Sequence, residues 1–167
     1  LMKKATAELH PVVRRFVEDA GRTTQSFGLG RVVGQLYAYL YFAQTPQNLN
    51  DLQRALGISK GSASTGVRQL IRWEAVRKVW IRGDRKDYFE ANDGFGRILK
   101  RALADTVASR LESYTTLLDE ADQHIDRLDD NGNGEHDHVR ERVTHLRRFS
   151  ERARNAWNNT LLQRLLR

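Results

Sequence analysis

The sequence contains no cysteine. That absence excludes disulfides, thiolate zinc sites, iron–sulfur clusters and cysteine-based redox sensing. Proline is nearly absent as well. Pro11 and Pro46 are the only two, so the chain beyond residue 46 is free to form long helices. No apolar run approaches the roughly 18 residues that a membrane span needs. The opening Leu1-Met2-Lys3-Lys4 is not followed by the apolar stretch of a secretory signal. The expectation is a cytoplasmic protein with no membrane partner. No nucleophile elbow, phosphate loop, dinucleotide fingerprint or metal-hydrolase helix occurs. Neither catalysis nor a cofactor is therefore expected.

Acids are scarce where bases gather. Nine bases and two acids fall between Arg54 and Lys86, which equals the net charge of +7 carried by all 167 residues. A basic patch this compact is the footprint expected for a phosphate backbone or another polyanion. Glycines mark the joints between elements, at Gly28 and Gly30, Gly57 and Gly61, Gly83, and Gly94 and Gly96. The pattern predicts a helix over about 3–27 with Leu9, Val12, Val13, Phe16 and Val17 on one face. A second, largely apolar helix is expected over 30–43, then a loop at Gln44–Asn48. A short helix is expected over Leu49–Leu56 with Leu49, Leu52, Ala55 and Leu56 inward, then a turn at Gly57. Ser59 has the chemistry of an N-cap for a helix from Lys60 to about Trp73. Two strands follow, Val76–Ile81 and Lys86–Ala91, with Gly83-Asp84 read as a II′ hairpin turn.

The last third is different. Apolar residues from Leu103 to Leu128 recur at steps of three or four, close to a heptad seam. A second long helix over about 136–166 carries the same rhythm from Val139 to Thr160. Residues 119–137 hold eight acids and one base, and residues 138–167 hold eight bases and two acids. That split favours an antiparallel pair. The apolar stripe exceeds what one small domain can cover and calls for a second chain.

Helix, glycine turn, helix, hairpin is the order of a winged helix-turn-helix. Ala63, Val67, Leu70 and Ile71 cluster on one side of the second helix of the motif. Gly61, Ser62, Thr65, Arg68, Gln69 and Arg72 lie opposite. Small residues permit close approach to a major groove, and Arg and Gln can make bidentate contacts to base edges. Ser59 and Lys60 sit at the positive helix end, suited to phosphate. Arg82, Arg85 and Lys86 at the wing can reach an adjacent minor groove.

The stretch Gly30–Ala91, with SKGSAS at Ser59–Ser64 and VRKVWIRGDRKDYFEA at Val76–Ala91, resembles the GbsR branch of MarR-type transcriptional regulators. The resemblance implies a homodimer, paired through its terminal helices, that sets two winged domains on one double-stranded DNA. By it, residues from Lys60 to Gln69, Ser64 included, would enter the major groove, and Arg85 or Lys86 the minor groove. The chain departs from the MarR pattern in two places. Glu74-Ala75 stands where glycine is common between recognition helix and wing, and Asp84 is followed by both Arg85 and Lys86.

The branch is associated with choline and glycine betaine. A small cationic effector would bind among aromatic faces. Tyr37 and Tyr41 share one helix face, and with Trp73 they are the candidate effector residues, with core packing as the alternative.

The expected fold is thus mainly α with a small two-stranded wing. A winged helix-turn-helix over 28–93 would be joined to a helical dimerisation region over 1–27 and 94–167. The function read from it is a dimeric, sequence-specific regulator, a repressor with a small-molecule effector. A protein-interaction adaptor and a non-specific architectural DNA binder are the alternatives. Asp129–Gly134 opens like a calcium loop, but Arg140 stands where a bidentate glutamate is required. His136, His138 and His145 with Asp137 could be drawn as a cluster, but positions 136 and 138 lie on different helix faces, so no metal is expected.

Overall fold

A computed structural model describes residues 9–128 and 136–158. The chain divides into two compact units, Leu1–Leu103 and Ala104–Arg167.

In the first unit α1 spans Pro11–Ser26 and α2 spans Arg31–Phe42. Pro11 at the start of α1 has no N–H to leave unsatisfied, and His10 Nδ1 accepts the Val12 N–H at 3.3 Å. Only Val17 and Gly21 of α1 are buried. Val12 and Phe16, expected inward, are exposed. α2 is the central element, with Val33, Gly34, Leu36, Ala38 and Leu40 buried. Two glycines set its packing distances. A Cβ on Gly34 would stand 2.3 Å from the Ala20 carbonyl oxygen of α1. One on Gly66 would stand 2.5 Å from Leu36 Cδ1.

The expected loop at Gln44–Asn48 ends in a strand. β1, Gln47–Asn48, pairs antiparallel with β3, Tyr88–Ala91, which also pairs with β2, Val76–Val79. The sheet therefore has three strands in the order β1-β3-β2, one more than the two-stranded wing expected. α3, Leu49–Leu56, begins with a capping box. Asn48 Oδ1 accepts the N–H groups of Asn50 and Asp51 at 2.9 and 3.1 Å, and Asp51 Oδ2 accepts the Asn48 N–H at 3.3 Å. These bonds satisfy Asn48, the one buried polar side chain among the described residues. Of the α3 residues expected inward, Leu52 is buried, and Leu49, Ala55 and Leu56 are half-buried. Gly57, at φ 63°, ends the helix in the left-handed region where glycine carries no Cβ penalty.

α4, Lys60–Arg72, is capped as expected: Ser59 Oγ accepts the Ser62 N–H at 3.0 Å. Ala63, Val67 and Leu70 join Leu36, Leu52, Trp73, Val76 and Phe89 in one core. Ile71 does not join them and is 38% exposed. α5, Phe95–Leu128, gives Ile98 and Ala102 to this same core. The first compact unit accordingly extends to Leu103.

The second unit holds the rest of α5 and α6, Asp137–Asn158. Leu118 and Ile125 are buried. Arg147 donates to Asp119 Oδ1 at 2.7 Å and to Asp122 Oδ2 at 2.5 Å, and Arg140 donates to Asp126 Oδ1 at 2.7 Å. These pairs run in opposite sequence senses, as the charge split between the two segments predicts. The paired carboxylates push the Arg147 guanidinium's pKa up, Asp119 foremost. The Asp129–Gly134 segment, and the part of the expected last helix beyond residue 158, lie outside the described residues. No described helix is long and apolar enough to cross a membrane.

Candidate nucleic-acid interface

The α3–turn–α4 pair presents one side of α4 to solvent because the other side is used up in the core. Ser59, Lys60, Gly61, Ser62, Thr65, Arg68 and Arg72 are exposed along it. Ser64 and Gln69 are half-buried, since they flank the buried Ala63, Gly66 and Leu70 and share part of that packing. Ser59 and Ser62 are engaged with each other, their hydroxyls 2.9 Å apart. The capping bond therefore occupies Ser59 Oγ, and the free backbone N–H groups of the first turn are what remains for an anion. Gly61 has open space at its Cβ position, the nearest atom being Ser59 Oγ at 3.8 Å. Its lack of a side chain is thus not demanded by packing.

The wing turn is held by the side chains of Asp84 and Tyr88. Asp84 Oδ1 accepts the Lys86 N–H at 3.0 Å, and its Oδ2 accepts the Tyr88 hydroxyl at 2.8 Å. The Lys86 N–H and then the Tyr88 hydroxyl hold the Asp84 carboxyl below its usual range, and the same bond raises the Tyr88 phenol. Asp84 is therefore a brace, and it leaves Arg82, Arg85 and Lys86 all exposed. The turn itself differs from the II′ expectation. Asp84 N–H donates to Ile81 O at 3.1 Å, which puts Gly83 (φ 87°) at the second central position, as in a type II turn. A tight glycine-first hairpin would have needed strands running up to it, whereas β2 stops at Val79 and β3 starts at Tyr88.

Ion pairing sorts the basic patch. Arg54 is paired to Asp51 at 2.7 Å, Arg77 to Glu90 at 2.5 Å and Lys78 to Asp87 at 2.7 Å. Lys60, Arg68, Arg82, Arg85 and Lys86 are exposed and make no ion pair among the described residues. Within the patch, the uncompensated charge falls on Lys60, Arg68 and the wing. Glu74 occupies the left-handed region at φ 56°, the one described non-glycine residue with positive φ, and it pairs with Arg101. Here the chain uses glutamate at the joint where glycine is common in the resembled family. Trp80, directly after β2, is 80% exposed and stands close in sequence to the wing bases.

The three candidate effector residues line one cavity of about 680 Å³, but in different states. Tyr37 is half-buried and donates its hydroxyl to Asn92 O at 3.1 Å. Burial, then Tyr41 and Asp93, raises its pKa. Tyr41 is exposed, its ring 6.0 Å from that of Tyr37. Trp73 is 3% exposed and belongs to the core, so it offers an edge of the wall and not an open ring face. Phe16, Phe42 and Phe95 extend the aromatic lining, and Asp19 and Asp93 bring carboxylates to it.

No family model matches the chain. It is 31% identical over 121 residues to the HTH-type transcriptional regulator MmpR5 of Mycobacterium tuberculosis, covering 72% of this chain and 69% of that protein. It is 27% identical over 112 residues to the HTH-type transcriptional repressor GbsR of Bacillus subtilis, covering 67% of this chain and 62% of that protein. A similar repressor, OpcR of Bacillus subtilis, is 27% identical over 95 residues, 56% of this chain and 51% of that protein. The chain thus spans about two thirds of the first of these relatives and less of the others. A crystal structure of a transcriptional regulator matches with a TM-score of 0.55 and 26% identity, covering 94% of this chain and 100% of that one.

Proposed function

The chain belongs to the HTH-type transcriptional regulators of the MarR-type winged-helix kind, and from that premise we propose that it is a homodimeric, sequence-specific repressor released by a small organic cation. The observation that carries the DNA-contacting surface is the sorting of charge. Within the basic patch of residues 54–86, the exposed bases left without a paired acid among the described residues are Lys60 and Arg68 on α4 and Arg82, Arg85 and Lys86 on the wing. α4 lies in the major groove, where Thr65, Arg68 and Gln69 face base edges and the first-turn N–H groups with Lys60 face phosphate. Arg82, Arg85 and Lys86 lie along the adjacent minor groove.

Dimerisation is supported by the apolar surface of the second unit. Tyr114, Leu117, Leu146 and Phe149 are all more than half exposed on the α5–α6 pair, an area that a second copy would remove from water. The effector site is the aromatic cavity. Rings supply negative faces and Asp19 and Asp93 supply charge, so an alkylated ammonium such as choline or glycine betaine suits it. Leu70 and Trp73, at the C-terminal end of α4, form part of its wall. An occupant would push on the end of the recognition helix and change the tilt of its reading face.

Selection of bound duplexes from a random pool tests the reading. The expected product is a pseudo-palindrome with half-sites about one helical turn apart. Arg68→Ala should relax preference at one position of each half-site by ~1–3 kcal/mol. A pool that gains no symmetric motif would refute sequence-specific dimeric binding. Calorimetric titration with choline and glycine betaine tests the effector, and no heat with either would remove that assignment.

A further inference from the structure

Trp80 is the most exposed large hydrophobic residue among those described, at 80%. It follows β2 directly and stands two residues before Arg82 in the wing turn. It takes no part in the core or in any ring contact among the described residues. Its neighbours on β2 are already committed, Arg77 to Glu90 and Lys78 to Asp87. Nothing in the wing's own architecture therefore uses the indole. The wing is held without it, by the two strand pairings, those ion pairs and the Asp84–Tyr88 bond. A tryptophan held in water pays a hydration cost that is recovered when a partner covers it, and its N–H wants an acceptor once covered. The surface around it carries Arg82, Arg85 and Lys86 with no ion-paired acid, so the complementary partner is anionic and offers both apolar and acceptor groups. Deoxyribose and phosphate together meet that description.

We infer that Trp80 is a DNA contact of the wing, laying its ring on the sugar–phosphate backbone and donating its Nε1–H to a phosphate oxygen. This rests on the reading of α4 and the wing as the duplex-binding surface. Such a contact reads no base, so it raises affinity for operator and unrelated duplex alike. It adds no charge, so it leaves the salt dependence unchanged. Those two properties distinguish it from the wing's bases.

The test compares the full chain with Trp80→Ala and Trp80→Phe by anisotropy on a selected operator and on an unrelated duplex, across several salt concentrations. Trp80→Ala should weaken both complexes about tenfold with a parallel salt plot, and Trp80→Phe should recover part of the loss. Acrylamide quenching of intrinsic fluorescence supplies a direct readout. The wild-type protein should carry a readily quenched component that DNA protects, and that component should be missing from Trp80→Phe. Equal affinity of Trp80→Ala and wild type overturns the inference while leaving the duplex-binding reading intact. So does an indole already shielded from acrylamide before DNA is added. Failure of the wild-type protein to bind any duplex overturns both.

Discussion

The salt dependence of DNA binding can be worked from the ion pairs. Within the basic patch of residues 54–86, Lys60, Arg68, Arg82, Arg85 and Lys86 are exposed and make no ion pair among the described residues. Each phosphate neutralised adds about −0.9 to the slope of log Kobs against log salt. If all five act in each protomer, a dimer reaches a slope of about −9 and a single protomer about −4.5. Replacing Arg82, Arg85 and Lys86 together by alanine removes three of the five, so the dimer slope should fall to about −4. The control is Arg77→Ala combined with Glu90→Ala. These two side chains already neutralise each other at 2.5 Å, so deleting both leaves the net charge and the released counterions unchanged. Its slope should stay within about one unit of the parent. Fluorescence anisotropy on a labelled duplex over a range of salt gives each slope. A triple variant with the parental slope, or a control that loses as much as the triple, would refute the claim that uncompensated charge defines the interface.

Two further outcomes follow from geometry. Gly34→Ala forces α1 away from α2, because its Cβ would stand 2.3 Å from both Ala20 O and Thr24 Oγ1. Overpacking costs about 1–3 kcal/mol against the roughly 1 kcal/mol that alanine gains in a helix, for a net loss of up to ~2 kcal/mol. Scanning calorimetry should show Tm lower by up to about 8 °C. Gly96→Ala has nothing within 4 Å and should hold or raise Tm. A stabilised Gly34→Ala would mean that the two helices do not approach this closely. For Asp84, the folded carboxyl lies below its unfolded value, so its contribution is complete above the ordinary carboxylate range and is lost as pH falls through the folded value. Asp84→Asn should therefore lower stability near neutrality and flatten its decline below about pH 4, measured as urea midpoints across pH.

The order of elements was legible because its signals are local. Ser59 before an apolar-periodic run, Gly57 at a left-handed turn and the charge split between α5 and α6 each act within a few residues or through a simple complement. Elements held together by distant partners were less legible. β1 is two residues long and exists because β3, some forty residues on, offers its edge. The Asn48–Asp51 capping box is local, yet Asn48 is the residue that β1 pairs with Tyr88 of β3. Phe16 and Ile71 fit a helical stripe but are exposed, because periodicity marks a face without saying whether a neighbour covers it.

By itself the sequence determined the winged helix-turn-helix order, the capped recognition helix and the gathering of positive charge around it. Those follow from dihedral preference, hydrophobic period and net charge, all written along the chain. Only the tertiary structure decided which of those charges remain uncompensated, that Trp73 is sunk in the core while Trp80 stands in water, and that Tyr37, Tyr41 and Asp93 meet around one cavity. Pairing, burial and enclosure depend on distances between residues far apart in sequence, and folding alone sets those distances.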